Sequence, residues 1–478
     1  MNDSPAPATL TTAPRVRFAP SPTGFFHVGS ARTALYNWLY AEANGGTFIL
    51  RIEDTDEERG RQEWLDGIIE ALHWLSLEPF EGPYRQSERQ GLYEQALSRL
   101  FEEGWLYGCN CSRDEVVERT RHNKIPGYDG KCRDLGLPRE GNALRFRIPT
   151  GGTTTVHDLV RGDVEFPHDA MEDFVVAKSN GNPLFILANV VDDIDMNMTH
   201  VIRGEDLLPS TPKGILLWQA LEGSGACLPA FAHLPMLVNE KRQKLSKRRD
   251  PVSLDTFREQ GFLPEAMVNY LALLGWSDPQ GRELLSRAEL VGSFSIDRVN
   301  HAPAFFDVAK LTHMNGEHIR ALDAERFAGV ALDWLRTADV PWEWADFDMG
   351  LFSGMVPLVI ERVTTLGEVV PMVDFLFTKN VVFDEDSLER VRRETAAAAV
   401  LRQARSRYET CAWSAGELHQ VTQEIAEAEG MKLGRAQAPV RVAITGRRVG
   451  PPLFDSMALL ARDVVLSRLD ALIAVLGS

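Results

Sequence analysis

RVRFAPSPTGFFHVGSARTALYNWLYAEANGGTFILRIED, residues 15–54, is the stretch whose reading decides the fold. Its opening, RVRFA, is short and alternating, as a strand is. PSPTG follows with two prolines and a glycine and reads as a loop. The run SARTALYNWLYAEA places Ala31, Leu35, Trp38 and Leu39 on one helical face. Gly45 and Gly46 stop that helix. TFILRIE then has the nearly uninterrupted apolar character of a buried parallel strand. A strand, a helix and a second strand joined by a right-handed crossover make an α/β unit. Ligands of such units sit beyond the carboxyl ends of the strands. Arg17 lies near the end of the first strand and Glu53 near the end of the next.

Outward from this unit, the chain runs to 478 residues, enough for two to four domains at roughly 100–200 residues each. With 44% hydrophobic and 25% charged residues it has the make-up of an ordinary globular protein. Five cysteines exclude a disulfide-built scaffold, and a reducing cytosol is the expected setting. No apolar run reaches the roughly 18–20 residues needed to cross a bilayer. Residues 1–14, MNDSPAPATLTTAP, lack the basic and apolar regions of a secretory signal and read as a disordered tail. The net charge of −17 argues against a generic, salt-driven nucleic-acid binder, so any such partner needs a locally basic surface.

Further along, CNCSRDEVVERTRHNKIPGYDGKC gathers three cysteines and is followed by the Gly- and Thr-rich IPTGGTTTVHD; together they read as an insertion splitting the α/β unit. PLFILANVVDD reads as a return to buried-strand character, and HVIRGEDLL leads towards a helix. FLPEAMVNYLALLGW opens a mostly helical region, and from about residue 325 the pattern is helical throughout.

Two motifs carry chemistry. In PSPTGFFHVGS, residues 20–30, small residues let backbone N–H groups and a helix N-terminus approach an anion, while His27 can donate a hydrogen bond. By itself, His-x-Gly is as readily a plain strand-to-helix turn. KLSKR, Lys244 to Arg248, lies in the charge-dense EKRQKLSKRRD, and such runs are usually solvated loops. As a pair they mean more, because ammonium groups and an imidazole neutralise charge on a transferring phosphorus.

The pair resembles the two signatures of class I aminoacyl-tRNA synthetases. VRFAPSPTGFFHVGSARTALYNWL, FILRIEDTDEER, GPYRQSER, LANVVDDIDMNMTHVIRGED, FLPEAMVNYLALLGW and GMKLGRAQAPVRVAITG are similar to bacterial glutamyl-tRNA synthetases, over nearly the whole chain. The resemblance implies a Rossmann-like α/β catalytic domain (residues 15–104 and 188–250) with an α+β acceptor-binding insertion (105–187). All-α parts would follow: a stem-contact domain (251–324) and an anticodon-binding region (325–478). It implies ATP-dependent activation of L-glutamate to an adenylate, with Mg2+, then transfer to the terminal adenosine of glutamate tRNA, by a monomer in the cytoplasm and with no membrane partner.

The same resemblance puts His27, Lys244 and Lys247 in the catalytic role, with Pro20, Gly29, Ser30 and Ser246 beside them around ATP. Arg17, Ser21, Glu53, Phe185, Asn189 and Arg203 would surround glutamate, the arginines clamping carboxylate and Glu53 facing the ammonium. Phe185 stands where the family often has Tyr. Cys109, Cys111 and Cys132 resemble a zinc knuckle whose fourth ligand would be Asp134, with Tyr128 or His122 as alternatives; three reduced thiols without metal remain the competing reading. Arg362 would read the anticodon, and residues 432–448 would supply positive surface.

Other readings differ in what they leave unexplained. A glutaminyl-tRNA synthetase would have a β-barrel anticodon half, whereas this half reads as helical. A truncated tRNA-modifying paralogue would lack it. A nucleotidyltransferase with only His-x-Gly leaves the C-terminal resemblance without a cause. A catalytically silent tRNA-binding relative would not need His27, Lys247 and both pocket arginines. A form that also charges glutamine tRNA fits the same motifs.

Overall fold

The computed structural model describes residues 13–22, 24–55, 62–122, 127–245 and 252–477. By its internal contacts the chain divides into two compact units, residues 1–256 with 264–308, and residues 257–263 with 309–478. Residues 264–308, expected within a separate stem-contact domain, thus group with the first unit.

The first unit opens with β1 (Arg15–Phe18), α1 (Val28–Ala43), β2 (Thr47–Ile52), α2 (Gln62–Trp74), β3 (Glu81–Arg85) and α3 (Gln90–Glu102). β1, β2 and β3 form a parallel sheet in which Arg17 lies opposite Ile49. Helix α1 is buried on nearly every side, since Ala31, Ala34, Leu35, Tyr36 and Leu39 are all inaccessible. Even its polar residues are tied inward: Tyr36 Oη donates to the carbonyl of Ala272 at 2.9 Å. The Gly-Gly stop has a steric cause at Gly46, where a Cβ would fall 2.2 Å from the carbonyl oxygen of Pro14. Residue 47 can therefore begin β2 beside the start of β1 only if residue 46 has no side chain.

Next come β4 (Leu106–Cys109), α4 (Arg113–Thr120), β5 (Ala143–Phe146), β6 (Thr153–Asp158), β7 (Gly162–Pro167), β8 (Val175–Ala177), α5 (Phe185–Asp195), β9 (His200–Gly204), α6 (Thr211–Glu222), β10 (Ala230–Leu234) and β11 (Leu237–Val238). β4, β5 and β8 make a small antiparallel sheet. A four-stranded sheet has the order β7-β6-β10-β9. Part of the expected insertion therefore joins it: β6 runs parallel to β10, and Leu159 N–H donates to Phe231 at 2.8 Å. Thr199 N–H donates to the carbonyl of Arg15 at 3.0 Å, which brings the entry of β9 against β1. Strand order reverses between β1 and β9, and such a reversal opens a crevice at the carboxyl ends.

One expectation is corrected here. PLFILANVVDD is not a strand but most of helix α5. Alternation would have sent Asp192 and Asp193 to opposite faces of a sheet. Helical spacing instead puts Asn189, Asp192 and Asp193 on one buried face, where charged partners meet them.

The first unit continues with α7 (Leu254–Glu259), which crosses the boundary between units, α8 (Pro264–Ala272), α9 (Arg287–Ser293) and β12 (Ala304–Phe305), which pairs with β11. The second unit is helical: α10 (Val308–Arg320), α11 (Ala324–Leu335), α12 (Met349–Val359), α13 (Val370–Phe377), α14 (Glu385–Arg393), α15 (Ala397–Tyr408), α16 (Ala415–Ala428), α17 (Leu433–Thr445), α18 (Leu453–Leu459) and α19 (Arg462–Gly477). Phe327, Phe352, Leu401, Ile425, Val442 and Leu469 fill its interior. Among the described residues, no helix is long and apolar enough to cross a membrane.

Candidate active site

A cleft of about 580 Å³ opens at the carboxyl ends of β1 and β9 and at the start of α1. Arg17, Ser21, Glu53, Phe185, Asn189 and Arg203 all line it, and so do Pro20, His27, Gly29, Ser30 and Lys244. Residues scattered over more than 200 positions of sequence thus share one cavity. Ser246 and Lys247 lie outside the described residues.

His27 caps α1. Its Nδ1 accepts from Ser30 N–H at 3.2 Å, so the ring proton sits on Nε2, which lies 3.1 Å from Ser30 Oγ. The spacing His-x-Gly has a physical reason, because a Cβ on residue 29 would lie 3.1 Å from the imidazole that folds over it. The segment after KLSKR is stitched to this turn: Val28 N–H donates to Val252 at 2.9 Å, and Leu254 N–H to Phe26 at 3.1 Å. On the other side, Leu245 N–H donates to Leu237 at 3.2 Å, and Lys244 Nζ lies 3.5 Å from Asp206. Leu245 and Val252 both line the cleft.

Behind the cleft wall, Ser21, Glu53, Asn189 and Arg17 are joined through Arg51 and Asp193 into one hydrogen-bonded chain. Ser21 Oγ donates to Glu53 at 3.4 Å, and Asn189 Nδ2 donates to the other oxygen of Glu53 at 2.7 Å. Arg51 Nη2 donates to Asn189 Oδ1 at 2.7 Å, and its Nη1 to Asp193 at 2.7 Å. Asp193 chelates Arg17 with bonds of 3.0 and 3.2 Å. Arg51 is wholly buried, and burying a charge is tolerable only with partners of this kind. Burial pushes the Glu53 carboxyl above its usual range, against the pull of Arg51 and Asn189. Burial and the like charge of Arg17 bring Arg203 down to about 10, still protonated at neutral pH.

At the end of β4 and in the loops beside it, the sulfurs of Cys109, Cys111 and Cys132 lie within 4.8 Å of one another. Cys111 and Cys132 are 3.5 Å apart, and Tyr128 Oη is 3.7 Å from Cys109 Sγ. Arg145 Nε donates to Cys109 at 3.2 Å and Arg119 to Cys111 at 3.5 Å. Asp134 does not join them: its side chain is 85% exposed and pairs with Arg147 at 2.9 Å. His122 also stands apart, accepting from Arg121 Nε at 2.9 Å.

A model of the class I tRNA synthetase (E and Q) catalytic domain matches residues 14–313, and one of an anticodon binding domain matches residues 326–473. The chain is 50% identical over 458 residues to a glutamate–tRNA ligase of Frankia casuarinae, covering 95% of this chain and 97% of that protein. It is 50% identical over 465 residues to that of Thermobifida fusca, covering 96% and 97%. The chain belongs to the glutamate–tRNA ligases. A crystal structure of the Elizabethkingia meningosepticum ligase in complex with its amino acid matches with a TM-score of 0.82 at 29% identity, over 97% of this chain and 100% of that one. As a member of this family the protein is a class I aminoacyl-tRNA synthetase that joins glutamate to tRNA at the expense of ATP.

In this ligase two of the central charges, Arg51 and Asp193, were not among the site residues read from the sequence. A signal for Arg51 exists, since an arginine in the middle of the apolar run TFILRI demands a buried partner. In the second unit Arg362 follows α12, is exposed, and donates to the carbonyl of Leu358 at 3.0 Å. The expected basic surface at 432–448 is smaller than its composition implies. Arg435 pairs with Glu394 at 2.8 Å and Arg447 with Asp374 at 2.5 Å, which leaves Lys432 and Arg448 as its exposed cations without such a partner among the described residues.

Proposed function

We propose that the cleft binds glutamate through Arg17, Ser21, Glu53, Asn189 and Arg203 beside ATP held by the His27 turn, and that adenylate forms there without a protein nucleophile. A carboxylate oxygen of glutamate attacks the α-phosphorus in line as the bond to pyrophosphate breaks. The acyl group then passes to the 2′-hydroxyl of the terminal tRNA adenosine, and AMP leaves. Both steps ask the protein for orientation and charge stabilisation, which the cleft's residue types supply.

Glu53 meets the α-ammonium, whose arrival favours the ionised carboxylate that burial resists. Arg17 and Arg203 meet carboxylate oxygens. Phe185 lines the site and supplies no hydroxyl. His27 Nε2–H, Lys244 and Lys247 meet the triphosphate, with Pro20, Gly29, Ser30 and Ser246 beside them as ATP-binding residues. Mg2+ arrives with ATP as part of the substrate. Residues 15–104 and 188–250 serve as catalytic domain, 105–187 as acceptor-binding insertion, 251–324 as stem contact and 325–478 as anticodon reader, with Arg362 at the anticodon, in a cytoplasmic monomer.

The observation that carries this reading is the meeting of His27, Lys244, Glu53 and both arginines in one cleft at the strand-order reversal. ATP–pyrophosphate exchange tests it. Exchange is expected with glutamate and cognate tRNA; exchange with glutamine but not with glutamate would overturn it.

The cysteine cluster fits zinc. Tetrahedral Zn–S bonds of about 2.3 Å set sulfurs about 3.8 Å apart, close to the observed 3.5 Å of Cys111 and Cys132. Cys109, Cys111 and Cys132 would hold the ion with Tyr128 as fourth ligand. The ion would tie the loop after β4 to the segment around Cys132, a structural role. Elemental analysis of protein purified without chelators is expected to give about one zinc per chain, lost in Cys132→Ser. A stoichiometry near zero in the unaltered protein removes the site.

A further inference from the structure

The two arginines of the cleft are held in opposite ways. Arg17 is chelated by the Asp193 carboxylate, so its charge is compensated before a ligand arrives. Arg203 makes no ion pair among the described residues. Its contacts go to neutral acceptors: Nε donates to His233 Nε2 at 3.2 Å, and Nη2 to Thr211 Oγ1 at 2.9 Å and to the Leu207 carbonyl at 3.5 Å.

The imidazole's protonation follows from its neighbours. A guanidinium N–H only donates, so His233 Nε2 must carry the lone pair and Nδ1 the proton. That proton points at Asp158 Oδ2, 2.6 Å away. Both side chains are fully buried. Asp158 has its remaining acceptor sites filled: by the backbone N–H of Val160 at 3.0 Å, of Arg161 at 2.8 Å and of His233 at 3.1 Å. The carboxylate cannot rotate away, and the tautomer is locked. The arrangement arises because the end of β6 runs beside β10, which delivers Asp158 to His233, while β9 delivers Arg203 from the other side.

We propose that Asp158 and His233 are positioning residues that aim Arg203 into the cleft while leaving its guanidinium without a contacting carboxylate, open to one from glutamate. An acidic partner in direct contact would hold the guanidinium equally firmly but would neutralise it. A neutral imidazole, itself oriented by a carboxylate one ring further back, holds it without that cost. The proposal rests on the reading of Arg203 as a glutamate ligand.

Exchange kinetics with glutamate and ATP varied separately, at saturating tRNA, test it. His233→Phe, which keeps the ring and removes the acceptor, is expected to raise the KM for glutamate about tenfold. The KM for ATP should stay unchanged and kcat should fall by less than about threefold. His233→Gln, whose amide oxygen can take the Nε–H, is expected to restore the glutamate KM to within about threefold of the parent value. Asp158→Asn frees the imidazole to adopt the other tautomer and should resemble His233→Phe. Arg203→Gln is the control for the underlying reading: an unchanged glutamate KM there would show that Arg203 is no ligand. A raised KM in Arg203→Gln with none in His233→Phe would overturn the positioning role alone. So would parallel losses of both KM values, kcat and melting temperature in all His233 variants, which would mark the pair as structural.

Discussion

Arg51→Met is expected to lower the melting temperature by about 6–20 °C and to raise the KM for glutamate at least tenfold. Arg51 is wholly buried and hydrogen-bonds Asp193 and Asn189, both at 2.7 Å; its Nε also lies 3.7 Å from Asp192. Removing one member of a buried charge network typically costs about 3–5 kcal/mol, because the remaining charges stay buried without a partner. In a domain of this size each kcal/mol moves the melting point by roughly 2–4 °C. The carboxylates left behind are not equally exposed to the loss. Asp192 keeps Arg89 at 2.7 Å, Gln86 at 2.8 Å and Tyr93, whereas Asp193 keeps, among the described residues, only Arg17 as a side-chain partner. The strain therefore falls on the substrate side, where Arg17 would shift to serve Asp193 alone and Asn189 would lose the donor that orients its amide towards Glu53. Arg51→Lys keeps the charge but cannot span Asp193 and Asn189 with one ammonium, so it should recover stability better than glutamate affinity. Calorimetry and exchange kinetics check both halves. A melting point within about 2 °C of the parent would show that the network carries no such energy.

That network also marks where reading the sequence reached its end. The β1–α1–β2 unit was legible because its signals are local: a short alternating strand, a nearly uninterrupted apolar one, a helical stripe through Ala31, Leu35 and Leu39, and a Gly-Gly stop. Residues implied by the family resemblance, from Arg17 to Arg203, meet in one cleft, since motifs carry positions even when they carry no contacts. Contacts are what was hidden. The partners of Arg51 lie more than 130 residues away on α5, and most of α5 was read as a strand, which scattered Asn189, Asp192 and Asp193 over two faces. Asp134 and Tyr128 both sit near Cys132 in sequence, and only side-chain direction separates the exposed carboxylate from the phenol at the sulfurs. The basic stretch at 432–448 lost much of its charge to Glu394 and Asp374, which approach from other helices. Asp158 and His233 gave no sign at all, because their strands become neighbours only in the folded sheet.

His27 offers the second large effect, and the structure allows its two functions to be separated. Nδ1 caps α1 by accepting from Ser30 N–H, and Nε2 carries the proton proposed to meet the triphosphate. Losing an N-cap costs about 1 kcal/mol, whereas losing one donor to developing transition-state charge commonly costs about 10²–10³ in rate. His27→Ala removes both groups. His27→Asn keeps a side-chain acceptor of the kind preferred at an N-cap but has nothing at the position of Nε2. Both variants are therefore expected to lose about 10²–10³ in exchange rate, while only His27→Ala loses measurable stability. If His27→Asn retained near-parental exchange, the imidazole would be a cap and nothing more. Lys247→Ala should show a rate loss of similar size with tRNA binding falling much less. If tRNA binding fell in proportion, Lys247 would be structural. The double variant then decides whether imidazole and ammonium act on the same phosphates. Groups that stabilise one transition state together are strongly non-additive, so its loss should be well short of the product of the single losses. Full multiplicativity would mean that the two groups act independently and do not converge on the same phosphates.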